Sequence, residues 1–124
     1  MAHHVSDAMQ ECIDRCRRCE EICLESVTHC LQKGGDHAQS AHIRTLMACA
    51  EICSTSARFM LLASEQHGRT CEVCAEVCEA CAANCDALGE DEMMQHCADA
   101  CRRCAESCRQ MAAAVHTSYT GARS

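Results

Sequence analysis

The stretch Cys71–Cys85, CEVCAEVCEACAANC, places cysteine at 71, 74, 78, 81 and 85. The intervals alternate three and four, the a/d spacing of a helix face turned into a bundle. No other fold repeats one residue type on one side with that period, so the segment reads as an amphipathic helix whose inner face is sulfur.

The same ladder recurs on either side. Cys12, Cys16, Cys19, Cys23 and Cys30 lie upstream, and Cys97, Cys101, Cys104 and Cys108 downstream. Between them a sparser segment carries only Cys49 and Cys53. Extending each ladder in register adds Met9, Ser26, His42, Leu46, Ser56 and Met60 to the inward positions, and then His67, Leu88, Met94, Met111 and Val115. Three breaks separate the segments: Lys33-Gly34-Gly35-Asp36, Gln66-His67-Gly68-Arg69 and Leu88-Gly89-Glu90-Asp91. Helices are expected over about 5–32, 37–65, 69–87 and 91–117, with Asp36 capping the second. Short connections between four helices predict an all-α, antiparallel up-down-up-down four-helix bundle with a cysteine-lined core. One domain, 1–124, is expected, its core at about 8–116 and its tail at 117–124 frayed.

Composition supports helices and narrows function. The 124 residues include 16 Cys, 5 Gly, no Pro, no Trp, one Phe and one Tyr. The net charge of −7 and the shortage of aromatic platforms argue against a nucleic-acid partner. Arg17-Arg18 and Arg102-Arg103 read as solvated faces. The first residues show no basic segment followed by an apolar run, and no stretch is long and apolar enough to span a membrane. A cytoplasmic, reducing location is expected, in which thiols persist. Outside the ladder, Ile13, Ile22, Leu24, Ile43, Ile52, Phe59, Leu61, Leu62, Val73 and Val77 flank the core or form an outer stripe for pairing bundles.

A core of cysteine is smaller than a core of leucine, so stability alone does not select it. Disulfides within a helix are disfavoured, because i,i+3 and i,i+4 neighbours have Cβ atoms about 5–6 Å apart and a disulfide wants about 3.5–4.5 Å. A metal ion spans the wider gap. Zinc prefers four ligands around one point, which a straight helix does not supply by itself. The ferredoxin run with its proline is absent. Copper(I) is soft, selects thiolate and accepts two ligands at a time. If every ion bridges two thiolates and every thiolate two ions, the numbers match, and one Cu⁺ per Cys⁻ leaves the core neutral. The expected capacity is about one ion per cysteine, taken up with release of about one proton each. All sixteen cysteines are thus candidate metal ligands. His42, Met47 and His96 are candidate admission or auxiliary ligands, at the end that also carries His29, His37, Met93 and Met94. Met9, Met60, His67, Met111 and His116 mark the other end.

These motifs resemble those of the bacterial four-helix-bundle copper storage proteins, cytosolic branch. The resemblance rests on C-x₃-C-x₂-C-x₃-C at Cys12–Cys23, on Cys49-x₃-Cys53, on the run Cys71–Cys85 and on Cys97–Cys108, over about residues 8–112. It implies a homotetramer of bundles, many copper(I) ions inside each, and storage or buffering in the cytosol, not catalysis. Two other functions remain open from the residues: a zinc or general thiol buffer, and a ferredoxin-like cluster carrier. No Ser/His/Asp pattern or phosphate loop points to an enzyme.

Overall fold

The computed structural model describes the backbone of residues 6–123 and the side chains of residues 6–114. Four α-helices and one 3₁₀ turn follow in order: α1 (Asp7–Lys33), the turn Gly35–Ala38, α2 (Ser40–Leu61), α3 (His67–Asp86) and α4 (Glu92–Arg123). Each helix packs on the two beside it in cyclic order, and among the described residues the diagonal pairs α1/α3 and α2/α4 do not approach through their backbones. This is the expected square, antiparallel bundle.

The helix ends follow local chemistry. Ser6 caps α1, its hydroxyl accepting from the Met9 N–H at 3.1 Å. Gly34, at φ 76°, ends that helix in the left-handed region and donates to the Cys30 carbonyl. Asp36 does not cap α2. It lies in the 3₁₀ turn, and α2 starts three residues later than expected, after Gln39. Nor does the second connection fall at Gln66–Arg69, because α2 stops earlier. Ala63 adopts φ 53°, its N–H bonds the Met60 carbonyl, and the Ser64 N–H bonds the Phe59 carbonyl. That pair of bonds is a Schellman stop built on alanine instead of glycine. His67 and Gly68 therefore open α3. At the other end of the chain, α4 continues past the expected stop at 117 to Arg123. Ala112-Ala113-Ala114 favours continuation, and no proline interrupts it. Val115, His116 and Ser124 lie outside the residues whose side chains are described.

Small residues set the spacing. Ala50, Ala57, Ala75, Ala82, Ala98 and Ala105 are buried beside the cysteines, letting neighbouring helices approach closely enough for short thiol side chains to fill the centre. Of the flanking apolar set, Ile13 and Ile22 are buried, while Leu24, Leu61, Leu62 and Val73 remain exposed. Arg17, Arg18, Arg102 and Arg103 are all exposed, as solvated faces should be. At the surface, Arg15 donates to Ser107 Oγ at 2.8 Å and joins α1 to α4. Arg102 with Asp86 and Arg109 with Glu79 join α3 to α4.

Candidate metal centre

Every one of the sixteen cysteines is buried, none more than 1% exposed, and all are free thiols. The a/d register explains this, since α1, α3 and α4 each turn their ladders to the axis. Sparse α2 contributes Cys49 and Cys53, with His42, Leu46, Ser56 and Met60 buried in the other inward slots.

The sulfurs form a column one side chain thick. Cys12 and Cys16 each lie 3.7 Å from Cys108, and Cys16 is 3.6 Å from Cys104. In the middle, Cys53 is 3.6 Å from Cys78 and 3.8 Å from Cys104. Cys49 is 3.6 Å from Cys78 and 3.8 Å from both Cys19 and Cys101. Further along, Cys23 is 3.8 Å from Cys97. Contacts of this length are nearly twice the about 2.05 Å of a disulfide bond. They leave room between sulfurs for single ions, not for a cube of iron and sulfide.

One inference from spacing needs correction. A single helix does not gather four thiols, but four helices do. Cys19, Cys53, Cys78 and Cys104, one from each helix, have all sulfurs within 4.8 Å of one another. So do Cys16, Cys74, Cys104 and Cys108; Cys19, Cys23, Cys49 and Cys101; and Cys23, Cys81, Cys97 and Cys101. Cys12, Cys71 and Cys108 make a three-thiol set at one end. Coordination number therefore does not by itself select copper(I). Charge does. Filling sixteen thiolates with monovalent ions leaves the core neutral, whereas tetrahedral sites for a divalent ion each keep two negative charges in a buried, poorly solvated place.

Cys30 and Cys85 stand outside these groups. Neighbouring thiols Cys81 and Cys97, with burial, push the Cys85 pKa up. Cys30 faces different company: its sulfur is 3.5 Å from His42 Nε2 and 3.7 Å from Met94 Sδ. Burial, with the charges of Asp91 and Cys97, pushes the Cys30 thiol up to about 11. Burial lowers the His42 pKa, so the ring is neutral, and its Nδ1 is buried without a partner. A thiol, an imidazole and a thioether thus meet at one end of the column, all suited to a soft ion.

Neither of the other two candidates reaches the Cys30–His42–Met94 cluster. Met47 is 55% exposed and lines an outer groove between α1 and α2 with Leu24 and Arg58. His96 is exposed on the α1/α4 side, where it borders a groove with His29 and Met93. What sequence reasoning missed is Asp91. Its side chain is buried, 4% exposed, and its carboxylate accepts from His29 Nε2 at 2.8 Å, Lys33 Nζ at 2.9 Å and the Met94 N–H at 3.1 Å. His37 Nε2 comes within 3.0 Å of the oxygen that His29 and Lys33 share, without a hydrogen bond. Burial acts to raise the Asp91 pKa, but the His29 and Lys33 bonds outweigh it and hold the carboxyl well below the usual range. Asp91 thereby fastens α1 to the start of α4 and positions Met94. The only signal in the sequence was its place as a helix cap after Gly89.

A bundle with a buried, reduced column of thiols is a protein for soft metal ions. The copper storage protein family model matches residues 5–113, and the chain belongs to that family. Solved structures agree. The Nmul_A1745 protein of Nitrosospira multiformis is 47% identical over 86% of this chain and 95% of that one, with a TM-score of 0.80. Cu(I)-bound BsCsp3, the Bacillus subtilis copper storage protein, is 36% identical over 86% and 99%, with a TM-score of 0.79. A cytosolic copper storage protein from Streptomyces lividans, solved with five coppers, is 30% identical over 86% and 93%, with a TM-score of 0.76. No curated protein matches the sequence.

Proposed function

We propose that this chain stores copper(I) inside the bundle, at about one ion per cysteine, with all sixteen thiolates as ligands. The observation that carries this reading is the continuous column of sixteen buried free thiols. Uptake replaces each S–H proton by Cu⁺, so the column passes from neutral to neutral. The Cu(I)-bound relatives support the choice of ion.

Storage is the whole activity in this reading. Copper is cargo, and no catalytic step is assigned. The chain acts in the cytosol, as one domain over 1–124, which the thiol chemistry and the cytosolic Streptomyces relative support. None of the described helices is long and apolar enough to cross a membrane. Association into a homotetramer follows from the family resemblance, and exposed Leu24, Leu31 and Met47 offer apolar surface for it. The copper donors and acceptors are proteins or small thiols that exchange ligands at the Cys30–His42–Met94 end.

Competition with a chromogenic copper(I) chelator tests the reading. The protein should retain many equivalents against the chelator and remain colourless, since Cu(I) is d¹⁰. A brown protein with visible cluster absorption would instead support the ferredoxin-like alternative.

A further inference from the structure

We propose that the apo column also holds divalent ions of tetrahedral preference, and that it holds two of them at a time in four-thiolate sites. The class is Zn²⁺, Cd²⁺ and Co²⁺. A tetrahedron with metal–sulfur bonds of about 2.3 Å has sulfurs about 3.8 Å apart. The shortest contacts within the four-thiol groups lie at or just below that value: Cys53 to Cys78 is 3.6 Å, Cys53 to Cys104 3.8 Å and Cys19 to Cys101 3.7 Å, and all sulfurs of a group lie within 4.8 Å of one another. Such an ion enters as the remaining sulfurs of a group draw inward from at most 4.8 Å.

The limit of two follows from sharing. Along the axis, a first group (Cys16, Cys74, Cys104, Cys108) and a second (Cys19, Cys53, Cys78, Cys104) share Cys104, the second and a third (Cys19, Cys23, Cys49, Cys101) share Cys19, and the third and a fourth (Cys23, Cys81, Cys97, Cys101) share Cys23 and Cys101. Two groups without a common thiol can be chosen in three ways: first with third, first with fourth, or second with fourth. Three such groups cannot be chosen. Two doubly charged ions bridged by one sulfur would lie within about 4.6 Å of each other, in a core where screening is weak. Each site forms by M²⁺ + 4 RSH → [M(SR)₄]²⁻ + 4 H⁺. Its charge is met by the unused thiols. For the group Cys19, Cys53, Cys78 and Cys104, protonated Cys16 lies 3.6 Å from Cys104, and Cys49 lies 3.6 Å from Cys78. Both are placed to donate. Half the cysteines stay as thiols, and copper(I), which leaves no residual charge, displaces the divalent ions as it loads.

Cobalt(II) reports four-thiolate tetrahedral coordination by its visible bands. Reduced apo-protein carrying Cys12→Ala, which removes the three-thiol set, is titrated anaerobically with CoCl₂. The expected plateau is two ions per chain. Cys101→Ala removes the third and fourth groups, and Cys104→Ala the first and second, so each variant should plateau at one. The pair together should give none. Cys85→Ala and Cys53→Ala, equally buried deletions, should leave two. Each variant is compared once its helical circular dichroism matches the parent, and Cys104→Ser carries the same expectation with less change in volume. A plateau above two, absence of tetrahedral bands, or equal loss in Cys85→Ala and Cys104→Ala would overturn the proposal. Copper(I) capacity is counted separately, and Cys85→Ala should lower it by about one ion while leaving cobalt unchanged. Failure with cobalt thus leaves the storage reading untouched, and failure with copper leaves this one.

Discussion

Cys53 of α2 and Cys104 of α4 stand on diagonally opposed helices whose backbones do not meet, yet their sulfurs lie 3.8 Å apart. The core at this level is one thiol deep from each side. There is no spare volume for a larger side chain, and no gap that a smaller one leaves harmlessly.

Replacing Cys104 by leucine therefore overfills the centre. The variant should lose about 1–3 kcal/mol of apo-protein stability, read as a lower urea midpoint at constant m-value.

Asp91 should contribute stability that depends on pH with a definite sign. Its folded pKa is depressed, so the contribution is complete above the unfolded pKa of about 3.9. It is lost as pH falls below that value through the folded pKa. Asp91→Asn should cost about 1–3 kcal/mol at pH 7 and progressively less below pH 4. Paired urea melts at the two pH values check this; equal losses at both would rule out the carboxylate as the cause.

Ala63 takes a backbone conformation that disfavours a side chain by about 1–2 kcal/mol. Glycine relieves that strain but gains freedom when unfolded, which offsets about 0.4–1 kcal/mol. Ala63→Gly should raise the thermal midpoint by a few degrees in differential scanning calorimetry.

His42 is the imidazole that touches the column, and Met47 and His96 do not. His42→Ala should slow copper(I) uptake from a weak donor severalfold in stopped-flow traces. Met47→Ala and His96→Ala should match the parent. Because the Cys30 thiol is held protonated up to about 11, binding at this end releases a proton, and its apparent affinity should rise about tenfold per pH unit between 6 and 8.

The ladders were legible because cysteine repeats at three and four, and a helix brings such positions to one face. His42 and Met94 were legible for the same reason. Met47 and His96 misled because each adjoins an inward position, Leu46 and Cys97. The next residue along a helix is turned about 100° away, here to the outside. The convergence of four thiols on one point was hidden too. It depends on how ladders from separate helices interleave, and Cys19, Cys53, Cys78 and Cys104 are far apart in the chain. Asp91 shows locally only as a helix cap, and its other partners, His29 and Lys33, come from distant α1, so no local pattern announces them. The Ala63 stop was masked by the more conspicuous Gly68, which sits inside α3.

Counting copper(I) against thiols in an anaerobic titration of reduced apo-protein tests the central claim most directly. Storage through a shared thiolate column predicts a plateau near sixteen ions per chain, with about one proton released for each. A plateau at one or two ions, with the remaining thiols still open to a thiol reagent in unfolded protein, would contradict it.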